Sequence, residues 1–303
     1  MFFGTPEWAV PSLEALLESP IDVPLVVTNP DKPSGRKLEL HSPPVKRAAA
    51  EAGLEVLQPD KAKDPELHER LRDLAPDAVA VVAYGKLLPP SLLEIPRLGF
   101  VNLHFSLLPA YRGAAPVQRA LMDGVETTGA TIMVLTEGMD EGPLLEVAKE
   151  PVRPEDTAGT LGNRLAITGA ALLVDTLQRY IAGDVSPVDQ DHDRATFAPK
   201  IATEEARISW ERPADVIRNL VRALNPEPGA WTTFRAKRVK VLAAAIRDDV
   251  SVAPGTLAPM DGLVVGTAAG ALELTEVQVA GKRQMSGEEL ARGLRLAGGE
   301  TFE

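Results

Sequence analysis

Short apolar runs alternate with helical patterns along the first half of the chain, and this alternation constrains the fold more than any other feature. Val23–Thr28, Ala78–Ala83 and Gly99–His104 have the length and apolar content of buried strands. Pro6–Glu18 and Pro43–Ala52 have the apolar spacing of helices. Strands and helices that alternate in this way predict an α/β domain with a mostly parallel sheet.

Further segments complete the first domain. Only Met1–Phe3 precede the first glycine, whereas strands usually have about five or six residues, so the sequence leaves open whether a first strand is intact. Thr131–Leu135 and Leu144–Lys149 are rich in residues that favour strands and flank a glycine-containing tip, which predicts a hairpin. The apolar spacing of Thr157–Ala182 predicts a long helix that covers the sheet.

The last third of the chain has a different pattern, with helices at Ala214–Ala223 and Ser286–Leu294. The predicted strands between them are Trp231–Phe234, Val239–Ile246, Gly255–Leu257, Gly262–Thr267 and Ala271–Val279. Many short strands with turn signals predict a small OB-like β-barrel. We therefore expect a first domain at residues 1–189, a linker at 190–206 and a second domain at 207–303.

The sequence argues against several kinds of chemistry and location. Its 303 residues include no cysteine and only four histidines, which stand far apart, so neither a metal site nor thiol chemistry is expected. Glycine-rich nucleotide loops and serine-hydrolase motifs are also missing. No apolar run approaches the roughly 18–20 residues that span a bilayer, and no secretion signal is recognisable, so we expect a cytoplasmic protein without membrane association.

The two halves of the chain differ in charge. Residues 1–206 contain 19 Lys and Arg against 31 Asp and Glu, whereas residues 207–303 contain 13 against 12. An acidic first half argues against nucleic-acid binding over its whole surface. The basic cluster at Arg235, Lys237, Arg238 and Lys240 could contact a phosphate backbone locally, or could be an ordinary solvated strand.

Asn102, His104 and Asp140 are the polar residues with the clearest chemical meaning. One residue separates Asn102 from His104 at the end of a predicted strand, so both side chains should face the same side. An amide can donate to a developing oxyanion, an imidazole can accept a proton from an attacking amine, and a carboxylate can orient the imidazolium. Taken alone, a structural hydrogen-bonded pair and an ordinary turn aspartate stay open alternatives.

Longer segments around these residues point to a known family. Asn102–Gly113 reads Asn-Leu-His-Phe-Ser-Leu-Leu-Pro-Ala-Tyr-Arg-Gly, and Met139–Gly142 reads Met-Asp-Glu-Gly. Further matching segments are Phe3–Pro11, Asn29–Arg36, Ala83–Pro89, Gly113–Gln118, Thr131–Met133, Phe197–Lys200 and Arg222–Trp231. On these residues the chain resembles, over nearly its full length, the methionyl-tRNA formyltransferase family of the 10-formyltetrahydrofolate-dependent formyltransferases.

The resemblance implies a fold and an activity. The fold would be a Rossmann-like formyltransferase domain followed by an OB-like, tRNA-binding domain. The activity would be transfer of the formyl group of 10-formyltetrahydrofolate to the α-amino group of methionyl initiator tRNA, for translation initiation. Asn102, His104 and Asp140 match the catalytic trio of the family, with Asn102 as oxyanion donor, His104 as general base and Asp140 orienting His104.

The resemblance also implies binding residues. The residues expected at the folate are Tyr84, Gly85, Lys86, Leu87, Leu88, Ser106, Leu107, Leu108, Pro109, Val134, Leu135 and Gly138. The basic loop Asn29–Ser42 would enter the acceptor arm of the tRNA through Arg36 and Lys37, and the cluster Arg235–Lys240 would add contacts. We expect a monomer that uses no metal.

Two other readings share much of this pattern. A formyltransferase acting on a small amine, such as an amino-sugar nucleotide or glycinamide ribonucleotide, would need the same trio. A noncatalytic tRNA- or folate-binding protein could keep the fold. The basic loop and Gly113–Gln118 favour the tRNA substrate, and the complete trio favours an enzyme.

Overall fold

In a computed structural model, which describes residues 1–34, 39–258, 260–294 and 299–303, the chain forms two compact units. The first unit comprises Met1–Pro116, Thr127–Pro151 and Gly162–Pro199, and the second comprises Val117–Glu126, Val152–Leu161 and Lys200–Glu303. Residues 190–199 thus lie in the first unit. The domain boundaries inferred from the sequence stay predictions.

The first 182 residues hold the elements of the α/β fold. The strands are β1 (Phe2–Gly4), β2 (Val26–Val27), β3 (Lys32–Ser34), β4 (Glu39–His41), β5 (Val56–Leu57), β6 (Val79–Val82), β7 (Phe100–His104), β8 (Thr127–Val134) and β9 (Leu144–Pro151). The helices are α1 (Val10–Leu17), α2 (Pro44–Glu51), α3 (Pro65–Leu74), α4 (Pro90–Leu93), α5 (Pro116–Met122) and α6 (Ala158–Ala182).

Seven of these strands form one sheet in the order β5-β2-β1-β6-β7-β8-β9. The first five run parallel, and β8 and β9 are antiparallel to their neighbours. The expected mostly parallel, Rossmann-like sheet is therefore confirmed, as are the hairpin and the long helix. The strand expected at Val23–Thr28 is shorter than predicted because Pro24 has no N–H to donate, and pairing begins at Val26.

The short first strand lies in the interior of this sheet, as the third of its seven strands. In β1, Phe2 pairs with Val26 on one side and with Ala80 on the other. The side chain of Phe3 is fully buried, and its ring meets the rings of Tyr84 and Phe100 edge-on at centroid distances of 5.2 and 5.4 Å. Three residues therefore suffice for a central strand because both of its edges are paired and its side chains fill the core.

The remaining elements belong to the second unit. They are α7 (Ala214–Ala223), β10 (Ala230–Phe234), β11 (Lys237–Arg247), β12 (Val264–Gly266), β13 (Ala271–Val279), β14 (Gln284–Ser286) and α8 (Gly287–Leu294). The strands form an antiparallel sheet in the order β10-β11-β13-β12, with β14 paired to β13. The register shifts along β11 between Val241 and Ala244, which bends the strand. This curled antiparallel sheet is consistent with the expected OB-like domain.

Several elements differ from the sequence expectation. Gly255–Leu257 is not a strand: Thr256 and Leu257 form only isolated bridges, to Thr301 and Val265. The basic loop at 29–42 contains the strand pair β3 and β4, and α3, β5 and β14 were not expected. Within the described ranges, no helix is both long enough and apolar enough to cross a membrane.

The packing of Phe3 gives a stability prediction. Phe3→Ala should lower the free energy of unfolding by about 3–5 kcal/mol, because it removes a buried ring and leaves a cavity. Urea denaturation measures this change. Ile167→Ala, at a position 64% exposed on α6, is the control and should change the free energy by no more than about 0.5 kcal/mol. Equal effects of the two variants would contradict the central role of β1.

Candidate active site

Asn102 and His104 project from the same face of β7, as their spacing predicts. Asn102 is the one residue of this strand that is not fully buried. Its side-chain amide makes no hydrogen bond within the described part of the chain, whereas His104 is only 5% exposed and its Nε2 is hydrogen-bonded to the carbonyl of Tyr111. The strand thus presents a fixed imidazole beside an amide that is available to a ligand.

The two ring nitrogens of His104 have different roles. Nε2 lies 2.9 Å from the carbonyl oxygen of Tyr111, and because a carbonyl can only accept, Nε2 carries a hydrogen and donates it. Nδ1 lies 3.6 Å from Oδ2 of Asp140. In the neutral ring Nδ1 therefore holds the lone pair, and a proton that arrives there is placed directly beside a carboxylate.

Asp140 reaches His104 from the connection between β8 and β9. Its backbone has φ = 51°, which is the left-handed region that residues other than glycine rarely adopt. The N–H of Gly113 donates to Oδ2 of Asp140 at 2.8 Å, and the side chain of Gln190 donates to its carbonyl oxygen at 2.9 Å. Contacts to both the side chain and the backbone thus hold this strained residue in place.

The segment at residues 188–198, here called the brace, supports the turn that carries Tyr111 and Gly113. The N–H of Tyr111 donates to Oγ1 of Thr196 at 2.9 Å, and the N–H of Ala198 donates to the carbonyl of Arg112 at 2.7 Å. Gly113 has φ = 128°, and a Cβ there would lie 2.6 Å from the carbonyl oxygen of Ala198. Only glycine fits this close approach.

The apolar residues expected at the folate differ in how exposed their side chains are. Tyr84, Leu88 and Leu135 meet in one apolar core cluster, so their side chains are largely occupied by packing. Leu87, in contrast, is 78% exposed. The side-chain hydroxyl of Tyr84 is buried without a hydrogen-bond partner, and burial raises the pKa of Tyr84 to about 12. The side chain of Tyr84 therefore serves the core, and its carbonyl oxygen already accepts from Asn29 Nδ2 at 2.8 Å and from Thr5 Oγ1 at 3.3 Å.

Hydrogen bonds fix the segment Ser106–Pro109 behind the trio. Thr131 Oγ1 donates to the carbonyl of Ser106 at 2.6 Å and accepts from the N–H of Leu108 at 3.2 Å. Oγ of Ser106 donates to the carbonyl of Ala110 at 2.6 Å. The hydroxyl of Ser106 is buried and already used, so this residue shapes the turn. Val134 is the last residue of β8, and Gly85, Lys86, Leu107 and Gly138 lie in the connections that follow β6, β7 and β8.

Of the expected tRNA contacts, Arg36 and Lys37 lie outside the described residues. The base of their loop is fixed at Asp31, which accepts from Lys46 Nζ at 2.9 Å, from Gln58 Nε2 at 2.8 Å and from Ser42 Oγ at 3.2 Å. The Lys46 hydrogen bond, followed by that of Gln58, lowers the pKa of Asp31. This carboxylate ties the loop to α2 and to the end of β5.

The basic cluster at Arg235–Lys240 lies on the hairpin of β10 and β11. Arg235 and Ala236 form the tight turn, with φ of 46° and 60°. The guanidinium of Arg235 pairs with Glu300 at 3.2 Å, and that of Arg238 stacks on the ring of Trp231 at 3.9 Å. Lys237 and Lys240 take part in no ion pair within the described ranges, so the hairpin presents positive charge with an aromatic ring beside it.

Sequence reasoning missed Arg112 as a buried charge, and it missed Gln190 and Thr196 as site residues. The latter two stand in a polar passage whose local pattern carries no signal, and their contacts are with residues far away in sequence. Within the described ranges, no group of three or more His, Cys, Asp or Glu side chains is arranged to hold a metal ion.

Comparison with known proteins covers both units. Residues 1–177 match the family described as "Formyl transferase", and residues 200–295 match "Formyl transferase, C-terminal domain". Among curated relatives, "Methionyl-tRNA formyltransferase" of Streptomyces griseus is 50% identical over 305 aligned residues, which cover 100% of this chain and 98% of that protein.

Two solved structures share the fold. An N-formyltransferase from Helicobacter canadensis, in complex with folinic acid and dTDP-3-aminofucose, has a TM-score of 0.68 at 17% identity and covers 90% of this chain and 97% of that one. HypX from Aquifex aeolicus, in complex with tetrahydrofolic acid, has a TM-score of 0.64 at 18% identity. The alignment covers 99% of this chain, which spans about half (48%) of HypX.

The buried hydroxyl of Tyr84 predicts a pH effect on stability. The pKa of this tyrosine is about 10 in the unfolded chain and about 12 in the folded one. Between these values the unfolded chain loses the proton more readily, so the free energy of unfolding has its full value below pH 10 and falls as the pH rises towards 12. The total loss is about 3 kcal/mol. In Tyr84→Phe the free energy of unfolding should fall less over this pH range than in the wild type, as measured by urea denaturation at each pH.

Tyr180→Phe is the matched control. Its half-exposed hydroxyl donates to the carbonyl of Leu98 at 3.4 Å, and burial raises the pKa of Tyr180 as well. Because Tyr180 is less buried than Tyr84, this variant should alter the fall in the free energy of unfolding between pH 10 and 12 less than Tyr84→Phe does. Identical declines in the wild type and in Tyr84→Phe would contradict the burial argument.

Proposed function

The chain belongs to the formyl transferase family, and we propose that it transfers the formyl group of 10-formyltetrahydrofolate to the α-amino group of methionyl initiator tRNA, for translation initiation. The observation that carries the chemistry is the position of His104, between the carbonyl of Tyr111 and the carboxylate of Asp140, on the strand that also presents Asn102. The acceptor follows from the near-full-length similarity to methionyl-tRNA formyltransferases.

His104 is the general base of the proposed reaction. Its Nε2–H is committed to Tyr111, so Nδ1 accepts the proton that the attacking amine loses. Asp140 lies 3.6 Å from Nδ1 and stabilises the imidazolium that results. The acceptor amine must therefore approach on the Nδ1 side of the ring.

Asn102 is the proposed oxyanion donor. Its half-buried amide is free of protein partners within the described ranges and lies on the same strand face as His104. As the amine attacks, negative charge develops on the formyl oxygen, and the N–H groups of Asn102 stabilise it. The adduct then collapses: the formyl carbonyl re-forms, the bond from the formyl carbon to N10 of the folate breaks, and the imidazolium of His104 gives its proton to N10. No covalent intermediate with the protein is needed.

The residues around the trio fit a folate. Folate binding needs backbone groups to hydrogen-bond the pterin edge and apolar surface to cover the ring. The backbone groups proposed for the pterin are those of residues 85–88 and 136–138, because the N–H groups of Val134 and Leu135 already donate to other backbone carbonyls. The exposed side chain of Leu87 is proposed to cover the ring. The folate supplies the electrophilic formyl group, while the protein supplies the base, the donor and the carboxylate.

The tRNA is proposed to contact the hairpin cluster Arg235–Lys240, with Arg36 and Lys37 as further contacts. Exposed basic side chains beside Trp231 suit a phosphate backbone with a stacked base. A charged tRNA is a cytoplasmic substrate, so the proposal places the enzyme in the cytoplasm, where it acts as a monomer.

Transfer of radiolabelled formyl from 10-formyltetrahydrofolate tests this function. Methionyl initiator tRNA, free methionine and a small amino-sugar nucleotide are offered as separate acceptors. We expect product from the charged tRNA alone. Product from the small amine alone would keep the chemistry but reject the tRNA as acceptor, and no product from any acceptor would reject the enzyme.

The same assay tests the trio. Asn102→Ala should lower kcat by roughly 10²–10³-fold, and His104→Ala by roughly 10²–10⁴-fold, because each removes a group that acts in the transition state. Asp140→Asn should also lower kcat, since a neutral amide does not stabilise the imidazolium. His68→Ala, on α3, is the control. Wild-type activity in His104→Ala would reject the base assignment.

The hairpin cluster gives a prediction about salt. Replacing Lys237 and Lys240 by glutamine should weaken tRNA binding and reduce the slope of log Kd against log salt by about one for each lost phosphate contact. Arg212→Gln, an exposed change in the same unit, is the control. Filter binding measures both quantities, and a slope that does not change would remove the hairpin from the interface.

A further inference from the structure

We propose that Gln190 is a positioning residue that holds the turn carrying Asp140 against His104. This inference rests on the proposed function, since it assigns a role in that same reaction. Gln190 is only 5% exposed and lies in the brace. Among the described residues, its side chain hydrogen-bonds neither His104 nor Asn102, so it acts through Asp140.

The orientation of the Gln190 amide follows from its partners. Oε1 accepts from Nε of Arg112 at 3.1 Å and from Nη2 of Arg112 at 2.7 Å. A guanidinium has only donors, so it fixes the oxygen of the amide on its side and leaves Nε2 on the other. Nε2 then donates to the carbonyls of Asp140 at 2.9 Å and of Gly142 at 2.7 Å.

These two bonds close the turn where it is strained. Asp140 has a φ of 51°, a strained conformation for residues other than glycine, which persists only when contacts with neighbouring residues hold it. Gln190 holds the carbonyl of Asp140 and Gly113 holds its Oδ2. Without Gln190 the backbone of the turn can relax, and the carboxylate then leaves its place beside Nδ1 of His104.

Arg112 makes Gln190 a strong clamp. The guanidinium is 4% exposed, and its other described contact is Nδ1 of His192 at 3.2 Å. The buried positive charge of Arg112 beside Oε1 polarises the amide, which strengthens the hydrogen bonds that Nε2 donates. Arg112 also directly precedes Gly113. The two residues that hydrogen-bond Asp140, Gly113 at its side chain and Gln190 at its carbonyl, are therefore linked through Arg112.

Two variants separate positioning from a general effect on folding. Gln190→Glu keeps the acceptor for Arg112 but has nothing to donate to the carbonyls of Asp140 and Gly142. Gln190→Met is neutral, of similar size, and has neither group. Gln178→Glu, at an exposed position of α6, is the matched control.

We expect both Gln190 variants to lower kcat for formyl transfer to methionyl-tRNA by roughly 10- to 100-fold, with KM for the tRNA nearly unchanged. Gln190→Glu should lower the Tm less than Gln190→Met does, because its pair with Arg112 persists. Wild-type kcat in Gln190→Glu together with a loss in Gln190→Met would show that Gln190 serves only Arg112, and wild-type kcat in both would remove it from the reaction. Either result would overturn the proposal.

Hydrogen–deuterium exchange gives a readout that does not depend on activity. The peptide covering residues 136–143 should exchange faster in both Gln190 variants than in the wild type, while peptides of α6 stay unchanged. Unchanged exchange at 136–143 would overturn the clamp. If the wild-type enzyme itself transfers no formyl group to methionyl-tRNA, the proposed function fails, while the exchange experiment still decides whether Gln190 holds the turn.

Discussion

The hydrogen bond from Nε2 of His104 to the carbonyl of Tyr111 determines how the rest of the site can work. A carbonyl cannot donate, so this bond fixes the tautomer and leaves Nδ1 as the basic nitrogen. Of the two ring nitrogens, Nδ1 is the one that the carboxylate of Asp140 approaches, at 3.6 Å. Three separate parts of the chain must therefore be correctly placed before the imidazole can accept a proton beside a negative charge. They are the strand that carries His104, the turn that carries Tyr111 and the hairpin tip that carries Asp140.

The parts that local pattern controls could be predicted from the sequence. The alternation along β7 placed Asn102 and His104 on one face, and α7 begins and ends where its apolar spacing predicts. Other parts depend on distant contacts that no local pattern records. The bond between Gln190 and Asp140 joins residues 50 positions apart, and the bond between Thr196 and Tyr111 joins residues 85 apart.

Packing also decides what a residue can offer a ligand, and residue type alone does not show this. Tyr84 is a polar aromatic residue in a matching segment, yet its ring lies edge-on to Phe3 and its hydroxyl is buried without a partner. An unpaired buried hydroxyl costs stability, so the ring is there for its apolar surface. In the neighbouring turn Leu87 is exposed. Within this one segment, Tyr84 packs in the core while the side chain of Leu87 is open to a ligand.

Two strained residues flank His104, and one segment supports both. Tyr111 has φ = 62° and Asp140 has φ = 51°; the first accepts from Nε2 of His104 and the second faces Nδ1. Thr196 holds the backbone of the former and Gln190 holds that of the latter. Because both supports belong to residues 188–198, a change in the path of this segment disturbs both nitrogens of the imidazole at once. The position of the imidazole thus depends on the brace as much as on the strand that carries His104.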